Sequence, residues 1–276
     1  MLFFLSFQDN YTHFIFSVYK IFSMSWRSIP KTLLLVSFLF LKFIYSQDKL
    51  DTKDYLDWFD NQIGKGNIAL LNGKQYFDED KSVLFENRHA YFLKDKFIKG
   101  NVIYNNQPYY NINLHYNIAI DELILNLIVD DRSLVFQLIK DNIQSFTIGE
   151  HEFLNLDKLS TSNDFLALGF VELLYKKENL LLIKKYKKSR RTKIKQSGRQ
   201  RHSFVYFIQK SSYMVIKGDK LYEADSKSEL IEAFPLLKND IKEFFKNNWK
   251  LNNSYPDIFM ENLFEKLSTL NQVVID

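Results

Sequence analysis

Residues Tyr110, Ile112, Leu114 and Tyr116 alternate with Asn111, Asn113 and His115, the period of two that turns one face of a strand to a core and the other to water. Short segments of strand character recur at Val83–Glu86, Asn101–Tyr104, Leu123–Val129, Leu134–Leu138, Ser145–Ile148, Leu166–Tyr175, Leu180–Tyr186, Ser203–Gln209, Tyr213–Lys217 and Lys220–Tyr222. The decisive constraint is the brevity of what joins them: Asn105-Asn106, Asp130-Asp131, Lys176-Lys177-Glu178-Asn179, Ser211-Ser212 and Gly218-Asp219. A parallel return needs a crossover of about a dozen residues or more, so links this short leave only antiparallel neighbours. The expected fold is α+β, mainly antiparallel β, with a meandering, curved sheet. Glycine is scarce, eight in 276 residues, so asparagine and aspartate are expected to fill left-handed turn positions. Leu123–Val129 carries Ile124 and Ile128 on its second face, which predicts cover on both sides.

The sheet is expected to be flanked by helices. Tyr55, Leu56, Phe59 and Ile63 at helical spacing predict a short helix over Asp48–Gln62, its acidic start suited to the helix dipole. Asn72-Gly73 between Ile68–Leu71 and Lys74–Phe77 predicts a hairpin, because both turn residues would take positive φ. At Ser226-Lys227-Ser228-Glu229 the pattern becomes that of a capping box. Leu230, Ile231 and Phe234 open an apolar stripe, Pro235 interrupts it, and Leu237, Ile241, Phe244 and Phe245 continue it. Pro256 suits the first turn of a further helix burying Phe259, Leu263, Leu267 and Leu270. The expected division is a β domain over residues 47–225, including the short N-terminal helix, and a helical cap over 226–276.

The N-terminal region reads as an export signal. After Met24, the basic residues Arg27 and Lys31 precede the apolar run Leu33–Leu41, which Lys42 ends after nine residues. That is the layout of a secretory signal peptide, and too short for the roughly 20 residues of a membrane span. Ser46 suits the cleavage position, with Gln47 as the new N-terminus. Residues 1–23 lack the basic start, so translation is expected to begin at Met24, with 1–23 an upstream read-in. Processing at Ser46 leaves 33 basic and 32 acidic residues out of the full chain's 37 and 33. Near neutrality means that only the distribution of charge can point to a polyanionic partner.

Most site chemistries find no foothold. Without cysteine there is no disulfide, thiolate zinc site, iron–sulfur cluster or cysteine nucleophile. The nucleophile elbow, Walker loop, HExxH, dinucleotide fingerprint and EF-hand loop are all absent, and Gly66–Lys74 lacks phosphate-loop glycine spacing. His89, His115, His151 and His202 stand far apart, without paired ligand spacing. His115 reads as a solvated or hydrogen-bonded sheet residue, and His151-Glu152 beside Gly149 as a turn. The acidic turns Asp78-Glu79-Asp80 and Asp130-Asp131 read as solvated loops before calcium sites. A carboxylate pair that meets only in the fold would not be visible. Tyr109, Tyr110, Tyr116, Phe204, Tyr206, Phe207 and Tyr213 read as sheet packing first and as stacking platforms for sugars or bases second. One feature stands out: Lys184, Lys185, Lys187, Lys188, Arg190, Arg191, Lys193, Lys195, Arg199 and Arg201 form a run with no acidic residue. Such density suits phosphate groups of nucleic acid or of anionic lipid. The alternative is a solvated hairpin or loop balanced by acids elsewhere.

Gly100-Asn101-Val102-Ile103-Tyr104-Asn105-Asn106-Gln107-Pro108-Tyr109-Tyr110-Asn111-Ile112-Asn113-Leu114-His115-Tyr116, followed by Asp121-Glu122-Leu123, resembles uncharacterised secreted proteins of Bacteroidota-type bacteria. The likeness extends through Val171–Tyr175, Leu180–Ile183 and Lys227–Phe245, covering roughly Gly64 to Asn248. It implies a signal peptide, an extended hairpin and a later strand pair with a basic stretch, and it brings no catalytic residue. The expectation is an exported, non-enzymatic envelope protein, periplasmic or associated with the outer membrane, with a binding or scaffolding role. Two alternatives stay open: a periplasmic carrier of an apolar ligand such as a lipid, and a hydrolase of envelope polymers using carboxylates not yet identified. No cofactor, metal or catalytic residue is implied. An envelope protein or anionic lipid is the expected partner and nucleic acid is not, and the mature chain carries no transmembrane span.

Overall fold

Asn105 and Asn106 both take left-handed backbone conformations, φ 52° and 64°, and close the two-residue link between β2 (Ile98–Tyr104) and β3 (Gln107–Asn117) as a type I′ turn requires. Of the eight non-glycine residues at positive φ among those described, Asn87, Asn105, Asn106, Asn111 and Asp121 are of the expected kinds, joined by Glu86, Leu93 and Glu178. The computed structural model describes residues 69–129, 132–159, 168–197 and 199–271. The expected read-in 1–23, signal peptide 24–46, Asp48–Gln62 helix and Asp130-Asp131 turn lie outside the described residues.

The remaining strands are β1 (Lys74–Gln75), β4 (Glu122–Val129), β5 (Arg132–Gln137), β6 (Ile143–Ile148), β7 (His151–Asn155), β8 (Phe170–Lys177), β9 (Leu180–Ser197), β10 (Gln200–Lys217) and β11 (Lys220–Glu223). They form one 11-stranded sheet in the order β1-β5-β4-β3-β2-β6-β7-β8-β9-β10-β11, not closed into a barrel. Every pairing between neighbours is antiparallel.

Local expectations failed where a long-range contact prevailed. Ala69–Asn72 is a 3₁₀ turn, and β1 pairs with β5 rather than folding back on the preceding residues. Gly73 is needed there for closeness, since a Cβ would collide with the Gln137 carbonyl. Val83–Glu86 is not a ladder strand: Lys81–Val83 is a 3₁₀ turn and Leu84 makes one isolated bridge to Val205. Ser211-Ser212 is no turn, because β10 runs straight through it, and His151 opens β7 after the turn at Gly149 and Glu150. In β3, Asn111 at φ 51° accompanies a register shift opposite Gly100 and Val102. That bulge switches parity, so Tyr109 is buried and Tyr110 only half-buried. Ile124 is fully buried, as two-sided cover predicts, whereas Ile128 is 57% exposed.

The main core is aromatic. Phe153 stacks on Phe146 at 4.8 Å between centroids and takes the edges of Phe92 and Tyr116 at 5.0 and 5.2 Å. Phe170 meets Phe146 edge-on at 5.0 Å. Beyond the sheet come a single turn, α1 (Leu156–Leu159), and the C-terminal helices α2 (Lys227–Ala233), α3 (Lys238–Asn247), α4 (Trp249–Ser254) and α5 (Pro256–Asn271). Ser226 accepts the Glu229 N–H while Glu229 accepts from the Ser226 N–H, completing the capping box. Pro235 falls in a 3₁₀ turn between α2 and α3. Leu230, Ile241, Phe259, Leu263 and Leu267 join Leu182 of β9 and Val215 of β10 in one apolar cluster. No helix among the described residues is long and apolar enough to cross a membrane.

Candidate functional site

Alternation along β9 sorts the basic run into two populations. Even-numbered residues from Leu180 and Leu182 onward share the face that meets the helices, and odd-numbered ones point the other way, with unbroken register against β10. On the helix face Lys184 is 7% exposed. Its Nζ lies 2.6 and 2.7 Å from the two Asp257 oxygens and 4.8 Å from the Tyr186 ring centroid. Lys188 donates to the carbonyls of His89 and Tyr91 at 3.0 and 2.6 Å. Arg190 makes a two-pronged contact with Asp80 at 2.8 and 2.9 Å, and this hydrogen bonding holds the Asp80 carboxyl below its ordinary range.

Lys188 fastens the segment 84–92 that runs between distant strands. Phe85 N–H donates to Val205 of β10 and Arg88 accepts from Phe207, while Phe92 N–H donates to Tyr116 of β3 and Ala90 accepts from Ile118. Burial brings the Lys188 ammonium down to about 8, against roughly 10.4 for an unfolded lysine. Between those values the unfolded chain binds more protons, so stability rises with pH. The urea midpoint is expected to increase from about pH 8 toward pH 10, and to increase less in Lys188→Met. A window equally steep in both proteins would contradict this. Above it, tyrosines kept protonated by burial, Tyr91 and Tyr186 among them, reverse the slope.

On the opposite face Lys185 is an exception: it is 7% exposed and donates to Asp121 Oδ1 and the Phe170 carbonyl, both at 2.9 Å. From there outward, Lys187, Arg191, Lys193 and Lys195 are exposed. Their cross-strand neighbours are Lys210, Tyr206, Phe204 and His202 respectively. Lys193 and Lys195 each place Nζ 4.3 Å from the centroid of Phe85, whose ring meets Phe204 edge-on at 5.9 Å. Arg88 lies 5.5 Å from the Tyr206 centroid. Arg199 and Arg201 stand at the hairpin tip. Of the ten basic residues expected to act together, Lys184, Lys185, Lys188 and Arg190 are therefore committed to internal partners. Lys187, Arg191, Lys193, Lys195, Arg199 and Arg201 make no ion pair among the described residues. Lys187 opposite Lys210 is a like-charge pair that an anion would relieve. Phe85, Arg88 and Lys210 belong to this face and escaped sequence reasoning. Lys210 would have followed from pairing two unbroken strands, but the other two reach the face only through the tertiary path of segment 84–92.

Three buried or half-buried carboxylates are occupied, whereas Glu122, whose carboxyl burial pushes up, keeps Oε2 buried without a hydrogen-bond partner among the described residues. Asp121 accepts from Tyr116, Lys140, Lys185 and the Phe170 N–H. Burial would raise its carboxyl, but the two lysines, Lys185 foremost, outweigh that and keep it low. Glu172, 3% exposed, meets His151 Nδ1 and accepts from Tyr186 at 2.6 Å. Asp257 receives Lys184 and Tyr213. His115, expected at a solvated or hydrogen-bonded position, is 6% exposed, with Nε2 3.0 Å from the Lys94 carbonyl and its ring stacked on Tyr91 at 3.6 Å. His202 is exposed on β10. Asp78 and Asp80 are engaged with Tyr91 and Arg190. Among the described residues no three His, Asp or Glu side chains form a group able to hold a metal ion. Of the aromatics singled out from the sequence, Tyr109, Tyr116 and Phe207 are buried, while Phe204 and Tyr206 are half-buried under the basic side chains. Compared with protein-family models, curated proteins and solved structures, the chain matches none.

Proposed function

We propose that the protein is an exported, non-enzymatic component of the cell envelope, periplasmic or outer-membrane-associated, whose β9–β10 hairpin binds phosphate-bearing anions such as lipid headgroups. The observation that carries this reading is one sheet face with Lys187, Arg191, Lys193 and Lys195 in a row, Lys193 and Lys195 over Phe85, Phe204 and Tyr206 as cross-strand neighbours, and no carboxylate counter-ion to any of the four among the described residues. The rings form a low-dielectric floor that strengthens the pull of the ammonium and guanidinium groups on an anion. Export rests on the apolar run Leu33–Leu41 and its basic approach.

The scaffold in this proposal is a curved sheet with a helical cap. Segment 84–92 hydrogen-bonds to both β10 and β3, although β2, β6, β7, β8 and β9 stand between those strands in the sheet, and bending brings them within reach of one short segment. The interlocked rings of Phe92, Phe146, Phe153 and Phe170 fill the core, which favours a binding scaffold over a carrier of an apolar ligand. Asp121, Glu172 and Asp257, each held by two or more donors, read as structural, which weighs against a hydrolase.

The test is calorimetric titration with inorganic polyphosphate. Replacing Lys187, Arg191, Lys193 and Lys195 together by Gln should weaken binding by about 100-fold or more at low salt and flatten its salt dependence. Unchanged affinity would end the proposal, and N-terminal sequencing of the native protein that found Leu33–Tyr45 intact would end its export.

A further inference from the structure

A cleft of about 470 Å³ lies between the chain that follows β1 and the face of the β9–β10 hairpin that carries Lys188, Arg190 and Phe207, within the size range of small-ligand sites. Residues 76–80 line it and alternate in role. Asn117 donates to the Tyr76 hydroxyl at 3.1 Å, the Tyr76 and Tyr91 hydroxyls meet at 2.9 Å, and Tyr91 donates to Asp78 Oδ2 at 2.7 Å. Since the Tyr91 proton goes to Asp78, the Tyr76 proton goes to Tyr91, and the chain of donors runs one way. Asp80 is clamped by Arg190. Between these tied residues stand Phe77, 72% exposed, and Glu79, also exposed. An aromatic ring is thus held in water beside the cleft, on a segment fixed at both of its flanks.

We infer that this cleft binds a neutral sugar unit of a glycan, with Phe77 as the platform for the pyranose ring. The charges of the lining select against ions. Asp78, Glu79 and Asp80 oppose an anion, while Lys188 and Arg190 in the same lining oppose an ammonium group. An uncharged ligand rich in hydroxyls meets neither obstacle, and it needs donors and acceptors together. The cleft supplies both. Arg190 spends Nε and Nη2 on Asp80 and keeps Nη1, Glu79 makes no ion pair among the described residues, and the Gln75 amide in the lining can give or accept. An ammonium ligand would leave those N–H groups unanswered, and an apolar one would leave every polar group so. The C–H groups on one side of a pyranose carry slight positive charge and suit the negative face of a phenyl ring. The inference goes beyond the anion-binding reading, because Lys188 and Arg190 face away from Lys187, Arg191, Lys193 and Lys195 across the hairpin.

Calorimetric titration with chitotetraose, cellotetraose and maltotetraose tests the inference. At least one should bind with a Kd below about 1 mM. Phe77→Ala should weaken that binding by about tenfold or more, whereas Phe77→Trp should retain it, because the platform is kept. Glu79→Ala should weaken it by about fivefold. Circular dichroism of these exposed-site variants verifies the fold. Binding of none of the three sugars, or binding indifferent to Phe77→Ala, would overturn the inference. Displacement of the bound sugar by an equal concentration of choline chloride or sodium phosphate would overturn it in favour of an ion. The two readings fail separately: replacing Lys187, Arg191, Lys193 and Lys195 by Gln should leave sugar affinity unchanged, and Phe77→Ala should leave polyphosphate affinity unchanged. A protein that binds a sugar but not polyphosphate would keep this inference and lose the anion-binding reading, and the reverse result would do the opposite.

Discussion

Asp121→Asn should lower the unfolding free energy by about 3 kcal/mol, the scale of a buried ion pair stripped of one partner, with a matching fall in the urea midpoint. Asparagine keeps the shape of the side chain and tolerates the φ of 57° at this position, so the loss reports charge rather than backbone strain. Lys185, with 8% of its side chain exposed, would lose its counter-ion and keep only neutral acceptors, the Phe170 carbonyl at 2.9 Å among them, and Lys140 would fall back on Asp157 at 3.5 Å. Adding Lys185→Met should recover part of the deficit, because the stranded ammonium is then gone. The pH dependence carries its own sign. A carboxyl held below its unfolded range stabilises the protein above the unfolded carboxylate pKa of about 3.9, and that contribution disappears as pH falls through the lower folded value. Asp121→Asn should therefore lack part of the wild-type acid-unfolding limb. A midpoint within experimental error of wild type would show that the network contributes no net stability.

The largest apolar loss is expected at Phe153→Ala, about 3–5 kcal/mol for a phenylalanine removed from a packed core. Phe153 is wholly buried and contacts Phe92, Tyr116, Phe146 and Tyr186, rings that come from the segment before β2 and from β3, β6 and β9. Four independent elements cannot all move in to fill the gap. Chemical unfolding measures the loss, and near-ultraviolet circular dichroism should fall as the neighbouring tyrosines lose their fixed surroundings. A cost below 1 kcal/mol would mean that the core collapses around the missing ring.

Much of the local structure was legible because neighbours in sequence settle it. The Asn105-Asn106 and Gly218-Asp219 turns, the antiparallel sense of the strands, the Ser226–Glu229 capping box and the helix beginning at Pro256 each depend on only a few adjacent residues. The basic run was visible as charge, but its division was not. Apolar alternation fades after Tyr186, leaving Ile194 alone among polar residues. Nothing local shows that β9 continues to Ser197, and without the strand there is no parity to separate Lys188 from Lys187. Asn72-Gly73 misled for a related reason: the dipeptide suits a hairpin, but its glycine serves an approach to Gln137, 64 residues away.

By itself the sequence determined an antiparallel β protein with C-terminal helices, since period, link length and capping chemistry act over a few residues. Tertiary structure alone decided which lysines are spent and which are free. A charge is neutralised by whatever the fold carries to within about 4 Å of it, and Asp121, Asp257 and Asp80 come from 64, 73 and 110 residues away in the chain.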